Sequence, residues 1–535
     1  MTIRQTDVSE HRISLFLLIL LCALLFIFGL GGRDYWAPVE PRYAEIARVM
    51  FSKGEWIVPT VNGDLYTDKP ILYFWLVLIA SILLGGVNEW TVRLPSAMAG
   101  LGFVLTTYAC GRTFFSARTG FIAAAVLATS YRVIWEARWA HTDMVFVFFF
   151  TMSMYLVARA LFHKGAPNEI LLAYAFMGLA TLTKGLIGIV LPALILLAYV
   201  AVRREWRLLV EAKLPLGIVV FLAVAGPWFW LVSSATDGKW LVDFIYIHHL
   251  QRYIAGAGHK QPFYYYFTTL PADFLPWTIF LIPALFAYRL NRKIWDHPTS
   301  FFLMLWFVVI FVFFSFSSTK RDLYLLPLFP PLALYTACYM NGLIQGNIGP
   351  TPFFKSVTLA FFGALVIFGV TTPVAANFFR PDAFWICLPS GFVMAAGGLF
   401  AVRFILVQQP FKLIAAVTLM MVTTVANATI WVFPYVESFK SLRPFSQKVK
   451  KIVPPGMPLY VYADTMNDFN YYLERDVIPV VRSRGQLEKL ASQPDPGYIL
   501  IKDKDLSRAR KFLPQRIMTT ESLGTTTWSL VDLNS

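Results

Sequence analysis

Charge and cysteine are what this chain has least of. Only 14% of its 535 residues are Asp, Glu, Lys or Arg, and four are cysteine. A soluble domain carries about 25% charge, so a secreted soluble enzyme, a disordered regulator and a compact nucleic-acid binder are excluded. Cys22, Cys110, Cys338 and Cys387 each lie in or at the end of an apolar run, and no two share a metal-binding spacing. They read as small core residues, and no disulfide framework is expected. Internal repeats and low-complexity tracts are also lacking. Apolar residues fill the chain instead: 57% are hydrophobic and 16% aromatic, with a mean hydropathy of +0.59. Most of such a surface must face lipid. The net charge of +15 comes from 46 basic against 31 acidic residues. In a membrane protein this marks cytoplasmic loops and anionic lipid partners, so no nucleic acid is implied.

A membrane span takes about 20 apolar residues. The candidates are 13–32, 94–111, 119–138, 143–162, 185–202, 214–234, 268–288, 300–318, 323–340, 355–373, 384–405 and 412–434. The shorter run 170–183 is one half of a helical hairpin, making thirteen. The first run is too long for a signal-peptide core and has no small-x-small cleavage site, so it is expected to stay as the first span. The run 70–86 is ambiguous, and charge decides it. If it does not span, basic residues in the cytoplasmic loops outnumber those outside by fourteen to eight. The positive-inside bias then places 70–86 on the outer surface as an interfacial helix, the N-terminus inside and the C-terminus outside. The expected class is a polytopic α-helical membrane protein. Residues 1–434 form the membrane domain, with an outer loop 33–93 carrying interfacial helices. Residues 435–535 carry ordinary charge and form a small outer α/β domain. Its strands are expected at 459–462, 477–481, 498–501 and 527–531, and its helices at 469–474, 485–491 and 506–512.

Polar groups near a bilayer are costly, so their positions are informative. They collect in four outer segments: 33–69, 136–143, 235–267 and 319–322. Glu40, Asp68 and Asp143 can act as bases or metal ligands. Arg42, Lys69, Arg252, Lys320 and Arg321 can hold a phosphate. His249 can join a carboxylate on a divalent metal. Plainer readings stand beside these. Arg42 and Arg48 can snorkel, Glu45 can be solvated, and Asp68-Lys69 can be a turn pair. Asp143 can cap its helix, His248 can be structural, and Lys184 can cap a helix C-terminus. Glu40 precedes Pro41 and is expected just before a helix 41–52, its carboxylate free to act.

The ordered string Val39-Glu40-Pro41-Arg42-Tyr43-Ala44-Glu45, Gly54-Glu55-Trp56, Tyr66-Thr67-Asp68-Lys69-Pro70, Arg93-Leu94-Pro95-Ser96, Asp143, Thr183-Lys184-Gly185, Pro227-Trp228, His249-Leu250-Gln251-Arg252-Tyr253 and Lys320-Arg321 with Tyr324 resembles a known family. It is similar to polyprenyl-phosphate-dependent glycosyltransferases of the GT-C type. These include the lipid A 4-amino-4-deoxy-L-arabinose transferases and the dolichyl-phosphate-mannose protein mannosyltransferases. The resemblance implies a GT-C fold of about thirteen transmembrane helices with an outer C-terminal domain, in a bacterial inner membrane with the site facing the periplasm. It implies a polyprenyl-phosphate sugar donor, a lipid or glycan acceptor such as lipid A, and inversion at the anomeric carbon. Lys69 and Arg252 become ligands of the lipid phosphate, with Arg42, Tyr43, Lys184, Lys320 and Tyr324 lining the cavity. Asp68 and His249 become the pair for a divalent metal, zinc or similar. Glu40 and Asp143 become the catalytic carboxylates. Two departures stand out: the family's Asp-Glu in the first loop is Val39-Glu40 here, and Asp68 stands for its usual Glu. Protein O-mannosyl transfer is an alternative reaction. A lipid-linked sugar flippase is an alternative without chemistry, although the one-sided charge and the lack of repeated halves speak against it.

Overall fold

The apolar runs are helical, because inside a bilayer a helix satisfies its own backbone donors and acceptors. The computed structural model describes residues 2–163, 165–166, 168–251, 260–290, 297–464, 467–509 and 516–534. Among them nine helices are long and apolar enough to span: Ser9–Ile27, Glu89–Phe114, Thr142–Phe162, Leu214–Ala235, Pro298–Phe316, Asp322–Ile344, Pro352–Phe379, Ala383–Leu406 and Pro410–Lys440. A tenth is bent by 117° between Tyr265–Asp273 and Thr278–Leu285. The protein is a multi-pass membrane protein.

The remaining expected spans are short. Ala117–Ala128, Glu169–Lys184 and Ile187–Arg203 have 12, 16 and 17 residues. At 1.5 Å per residue these rise about 18–26 Å, below a hydrocarbon core of about 30 Å. The expected span 119–138 ends at Ala128, where Thr129 and Ser130 turn their hydroxyls back onto Ala125 O at 2.6 Å and Val126 O at 2.8 Å. A separate helix, Tyr131–Ala137, follows. The ambiguous run becomes the 13-residue helix Leu72–Leu84. At about 20 Å it is too short to cross.

The chain divides into two compact units. One comprises Met1–Phe28, Thr67–Tyr73 and Arg93–Ile430, and the other Gly29–Tyr66, Phe74–Val92 and Trp431–Ser535. Most of the outer loop thus groups with the C-terminal residues, while Thr67–Tyr73 groups with the membrane helices. Polar pairs more than 400 residues apart in sequence hold this second unit together. Asn62 accepts from Ile478 N at 2.7 Å and donates to its carbonyl at 3.2 Å. Arg443 donates to Asp34 at 2.6 Å. Asn62 can do this because it sits with Gly63 in a tight turn, φ 52° and 84°, between β1 (Thr60–Val61) and β2 (Asp64–Leu65), the Asn-Gly hairpin signature.

The C-terminal part is a five-stranded mixed sheet. Its strands are β3 (Leu459–Tyr462), β4 (Val480–Val481), β5 (Tyr498–Lys502), β6 (Ile517–Leu523) and β7 (Thr526–Asp532), in the order β4-β3-β5-β7-β6. β3 runs parallel to β4 and β5, and β7 antiparallel to β5 and β6. Alternation in β5 sends Leu500 to one face with Phe445, Val449 and Trp528, and Ile499 and Ile501 to the other with Leu487 and Val531. Helices thus cover both faces. β6 and the helix Arg443–Ile452 are additions to the expected elements. The helix expected at 506–512 is observed as Asp503–Ala509, and its expected end lies outside the described residues.

Candidate functional site

In the membrane unit the polar groups form one continuous chain. The helix Thr142–Phe162 begins after His141, whose extended backbone makes it the N-cap. Asp143 is therefore in the first turn, and its oxygens are not used as a cap. One oxygen accepts from the Lys184 ammonium, and the other faces His141 Nδ1 at 3.2 Å. Asp143 is 2% exposed. Lys184 ends the helix Glu169–Lys184, yet its ammonium leaves the helix end and lies over the rings of Tyr324 at 4.9 Å and Phe146 at 5.2 Å, a cation–π arrangement. His141 Nδ1 also meets Glu136 Oε2 at 2.9 Å. With acceptors alone on that side, Nδ1 carries the proton. The motif residue Ser96 fixes the His141 backbone by donating to its carbonyl at 2.9 Å. Glu136 then accepts from Arg132 at 3.3 Å, and Arg132 donates to Asp273 at 2.7 Å and to Asp322.

Lys69 is held loosely. Its ammonium donates to the Asp68 carbonyl at 3.1 Å and is 3.4 Å from the Asp68 carboxylate. Its charge reaches both Asp143 and Lys184, and that of Arg321 reaches Lys184. Lys320 is 4% exposed and donates to Ser317 O at 2.6 Å and Gln261 O at 3.0 Å. It satisfies backbone carbonyls, which corrects its expected place among the phosphate ligands. The half-buried neighbour Arg321 has no side-chain partner among the described residues. Arg252 lies outside the described residues, and so does the side chain of His249.

The imidazole beside Asp68 is that of His248, with Nδ1 at 3.2 Å from the carboxylate and Nε2 at 3.1 Å from Thr67 Oγ1. Among the described residues no three His, Cys, Asp or Glu side chains are placed so that they could hold a metal ion. One carboxylate and one imidazole fall short of a four-ligand zinc set, and the Lys69 ammonium competes for the same carboxylate. The described donors do not fit a divalent metal, and no chemical step is derived through one.

The second unit holds Glu40, Arg42 and Tyr43. Its helix runs Val39–Lys53, so Glu40 stands in the first turn and not before the helix. Its carboxylate is fully buried and accepts from Arg33 Nη1 at 2.6 Å, Arg33 Nη2 at 3.0 Å and Trp36 N at 3.2 Å. A bidentate guanidinium takes both oxygens, which corrects the expectation of a free base. Glu45 is also fully buried, not solvated. Burial pushes its carboxyl up to about 7 against the opposing pull of Arg48. Arg48 does not snorkel: it donates to Glu45 at 2.8 Å and to Asp476 at 2.7 Å. Arg42 is half-buried with no side-chain partner among the described residues. The Tyr43 ring packs on Phe74 and Tyr66.

This fold has close counterparts. The structure of ArnT from Cupriavidus metallidurans bound to undecaprenyl phosphate superposes with a TM-score of 0.80 at 23% identity, covering 96% of this chain and 97% of that one. The family described as dolichyl-phosphate-mannose-protein mannosyltransferase matches residues 68–230. The chain shares the fold of that structure and resembles the mannosyltransferase family over this segment. Among curated relatives, the undecaprenyl phosphate-alpha-4-amino-4-deoxy-L-arabinose arabinosyl transferase of Pectobacterium atrosepticum is 35% identical over 333 residues, 61% of this chain and 59% of that protein. The enzyme of the same name from Serratia proteamaculans is 27% identical over 92% of this chain and 91% of its own length. The strongest alignments thus span about three fifths of the relatives' length. Within this chain, the geometry brings together Lys69, Asp143, Lys184 and Tyr324 from the expected set. It adds His141, Glu136, Arg132, Asp273 and Asp322. Their signal in the sequence was charge at the ends of apolar runs for Glu136, His141 and Asp322, and charge inside expected spans for Arg132 and Asp273.

Proposed function

We propose that this protein transfers a sugar from a polyprenyl phosphate to an anionic acceptor at the periplasmic face of a bacterial inner membrane. The relatives' names favour 4-amino-4-deoxy-L-arabinose on undecaprenyl phosphate as donor, and lipid A phosphate is the matching acceptor. One observation carries the reading: around Lys184 the cations have spare capacity, while each carboxylate is already paired. Lys69 is loosely held and Arg321 has no side-chain partner among the described residues, so a phosphate can be bound. Asp143 is occupied by Lys184 and His141. A site without an unpaired carboxylate suits a nucleophile that arrives already charged, because a phosphate oxygen needs no general base.

In this mechanism the acceptor phosphate oxygen attacks the anomeric carbon. The bond from that carbon to the donor phosphate oxygen breaks, and the electron pair leaves on the polyprenyl phosphate. Lys69, Lys184 and Arg321, with Arg252, stabilise the charge that grows on the leaving phosphate. Asp143 holds Lys184 in place, and His141 holds Asp143. Arg42 and Tyr43 remain candidate substrate contacts, and Glu40 is assigned to pairing with Arg33. The test uses purified full-length protein, undecaprenyl-phosphate-linked aminoarabinose and two acceptors, lipid A and a Ser/Thr-rich peptide. Aminoarabinose on lipid A supports the reading. Transfer to the peptide moves the assignment to the mannosyltransferase branch. Movement of donor across a vesicle membrane with no product on either acceptor makes the protein a flippase.

A further inference from the structure

The membrane unit contains a cavity of about 320 Å³ that the transfer reaction does not use. It lies at the end of the helix Phe329–Ile344 away from Tyr324, about 24 Å along the axis. Met340 and Leu343 form one wall, and Phe404 and Leu413 another. Two helices start at its mouth: Pro352–Phe379, capped by Thr351, and Pro410–Asn427. Their N-termini carry partial positive charge, which favours anions and disfavours cations nearby. Yet each has a lysine in its first turns, Lys355 and Lys412, and neither has an acidic residue in its first turn. Arg403 ends the helix Ala383–Leu406 that runs into the same pocket. None of Lys355, Arg403 and Lys412 has a side-chain hydrogen-bond or ion-pair partner among the described residues. No Asp or Glu occurs from Asn341 to Pro381 or from Ala383 to Val436. Among the described residues no carboxylate compensates the positive charge here.

We propose that this cavity binds an anionic phospholipid. The phosphate sits at Lys355 between the two helix N-termini, within reach of the Gln408 and Gln409 amides, and an acyl chain lies along the apolar wall. The rim argues for a lipid over a soluble anion. Phe353, Leu406, Val407 and Phe411 are all more than half exposed there, as lipid-facing residues are. The basic-residue bias puts this end of the bundle at the cytoplasmic leaflet, where anionic lipids and basic pockets between helices meet.

The test is independent of transfer activity. Full-length protein is stripped of lipid in detergent and incubated with phosphatidylglycerol or with phosphatidylcholine of the same chains. Lipid retained per protein is counted by native mass spectrometry. Wild type keeps phosphatidylglycerol in preference to phosphatidylcholine, and excess inorganic phosphate does not displace it. Loss of one charge-assisted contact in Lys355→Ala lowers retention about tenfold or more. Arg207→Ala, at an exposed arginine paired with Glu211, leaves retention unchanged. Equal retention of the two lipids, a Lys355→Ala protein that holds phosphatidylglycerol like wild type, or displacement by inorganic phosphate overturns the proposal.

Discussion

The Lys184–Asp143 pair separates binding chemistry from structural support. Both side chains are buried, 9% and 3% exposed. Removing one partner strands the other charge, which costs roughly 3–5 kcal/mol at a buried pair. Lys184→Met and Asp143→Asn should each be destabilised on that order, with Asp143→Asn the milder because an amide still accepts from the ammonium. The double variant removes both charges and should recover most of the stability. Activity should behave differently. If Lys184 stabilises the leaving phosphate, its loss removes a charge-assisted interaction of about 1.5–3 kcal/mol, a factor of about 10–150 in rate. The double variant should then be stable but slow. Melting of the purified protein, with transfer from an undecaprenyl-phosphate-linked sugar per folded molecule, measures both. A double variant as active as wild type would show that the pair is a structural tie and that Lys184 does not act on phosphate.

Glu40→Gln should lower the stability of the full chain by several kcal/mol, because it leaves Arg33 buried with a weaker partner, and Arg33→Met should behave alike. A Glu40→Gln protein that folds normally but is dead would restore Glu40 as a base. Arg321→Met should slow transfer about tenfold or more with little change in melting, whereas Lys320→Met should act mainly on folding; rates per folded protein distinguish them. Asp468 is 3% exposed, and burial, with Glu40 and Asp464 nearby, pushes it up to about 7. A carboxyl raised on folding stabilises below its unfolded pKa, and that contribution is lost as pH rises from about 4 to about 7. Asp468→Asn should therefore flatten the pH dependence of melting in that window, and an unchanged profile would show Asp468 to be ionised throughout. Chelation should leave transfer unchanged; loss restored by zinc would mean that further ligands complete the donor set of Asp68 and His248.

The parts of the site written locally were legible. Each of Asp143, Lys184 and Lys69 stands at the end of an apolar run, where an ionised group is tolerated only with a partner or a ligand. Charge placement marked Asp143 and Lys69, the family resemblance brought in Lys184, and the ordered motifs carried the fold. What sequence could not supply was the pairing. Lys320 and Arg321 are adjacent and equally basic, and only the extended turn before Asp322–Leu328 decides which meets backbone carbonyls and which is left open. His141 looked like one polar residue among several; its role depends on Glu136 and Asp143 lying on the same side of the ring. The first outer loop read as part of the membrane domain because nothing near it points elsewhere, while Asp34, Arg48 and Asn62 find their partners in Arg443, Asp476 and Ile478. Span lengths were misjudged where a helix ends inside a run that hydropathy continues, as at Thr129 and Ser130. These errors have one cause. Hydropathy and charge placement are local properties, whereas a buried ion pair is decided by whichever distant group comes within about 3 Å of it. The same reasoning gives weight to Lys355, Arg403 and Lys412. In a chain where buried charges are paired so consistently, a half-buried Lys355 in the wall of an apolar cavity, with the exposed Arg403 and Lys412 on the adjoining helices and no side-chain partner for any of the three among the described residues, points to a partner supplied from outside the chain.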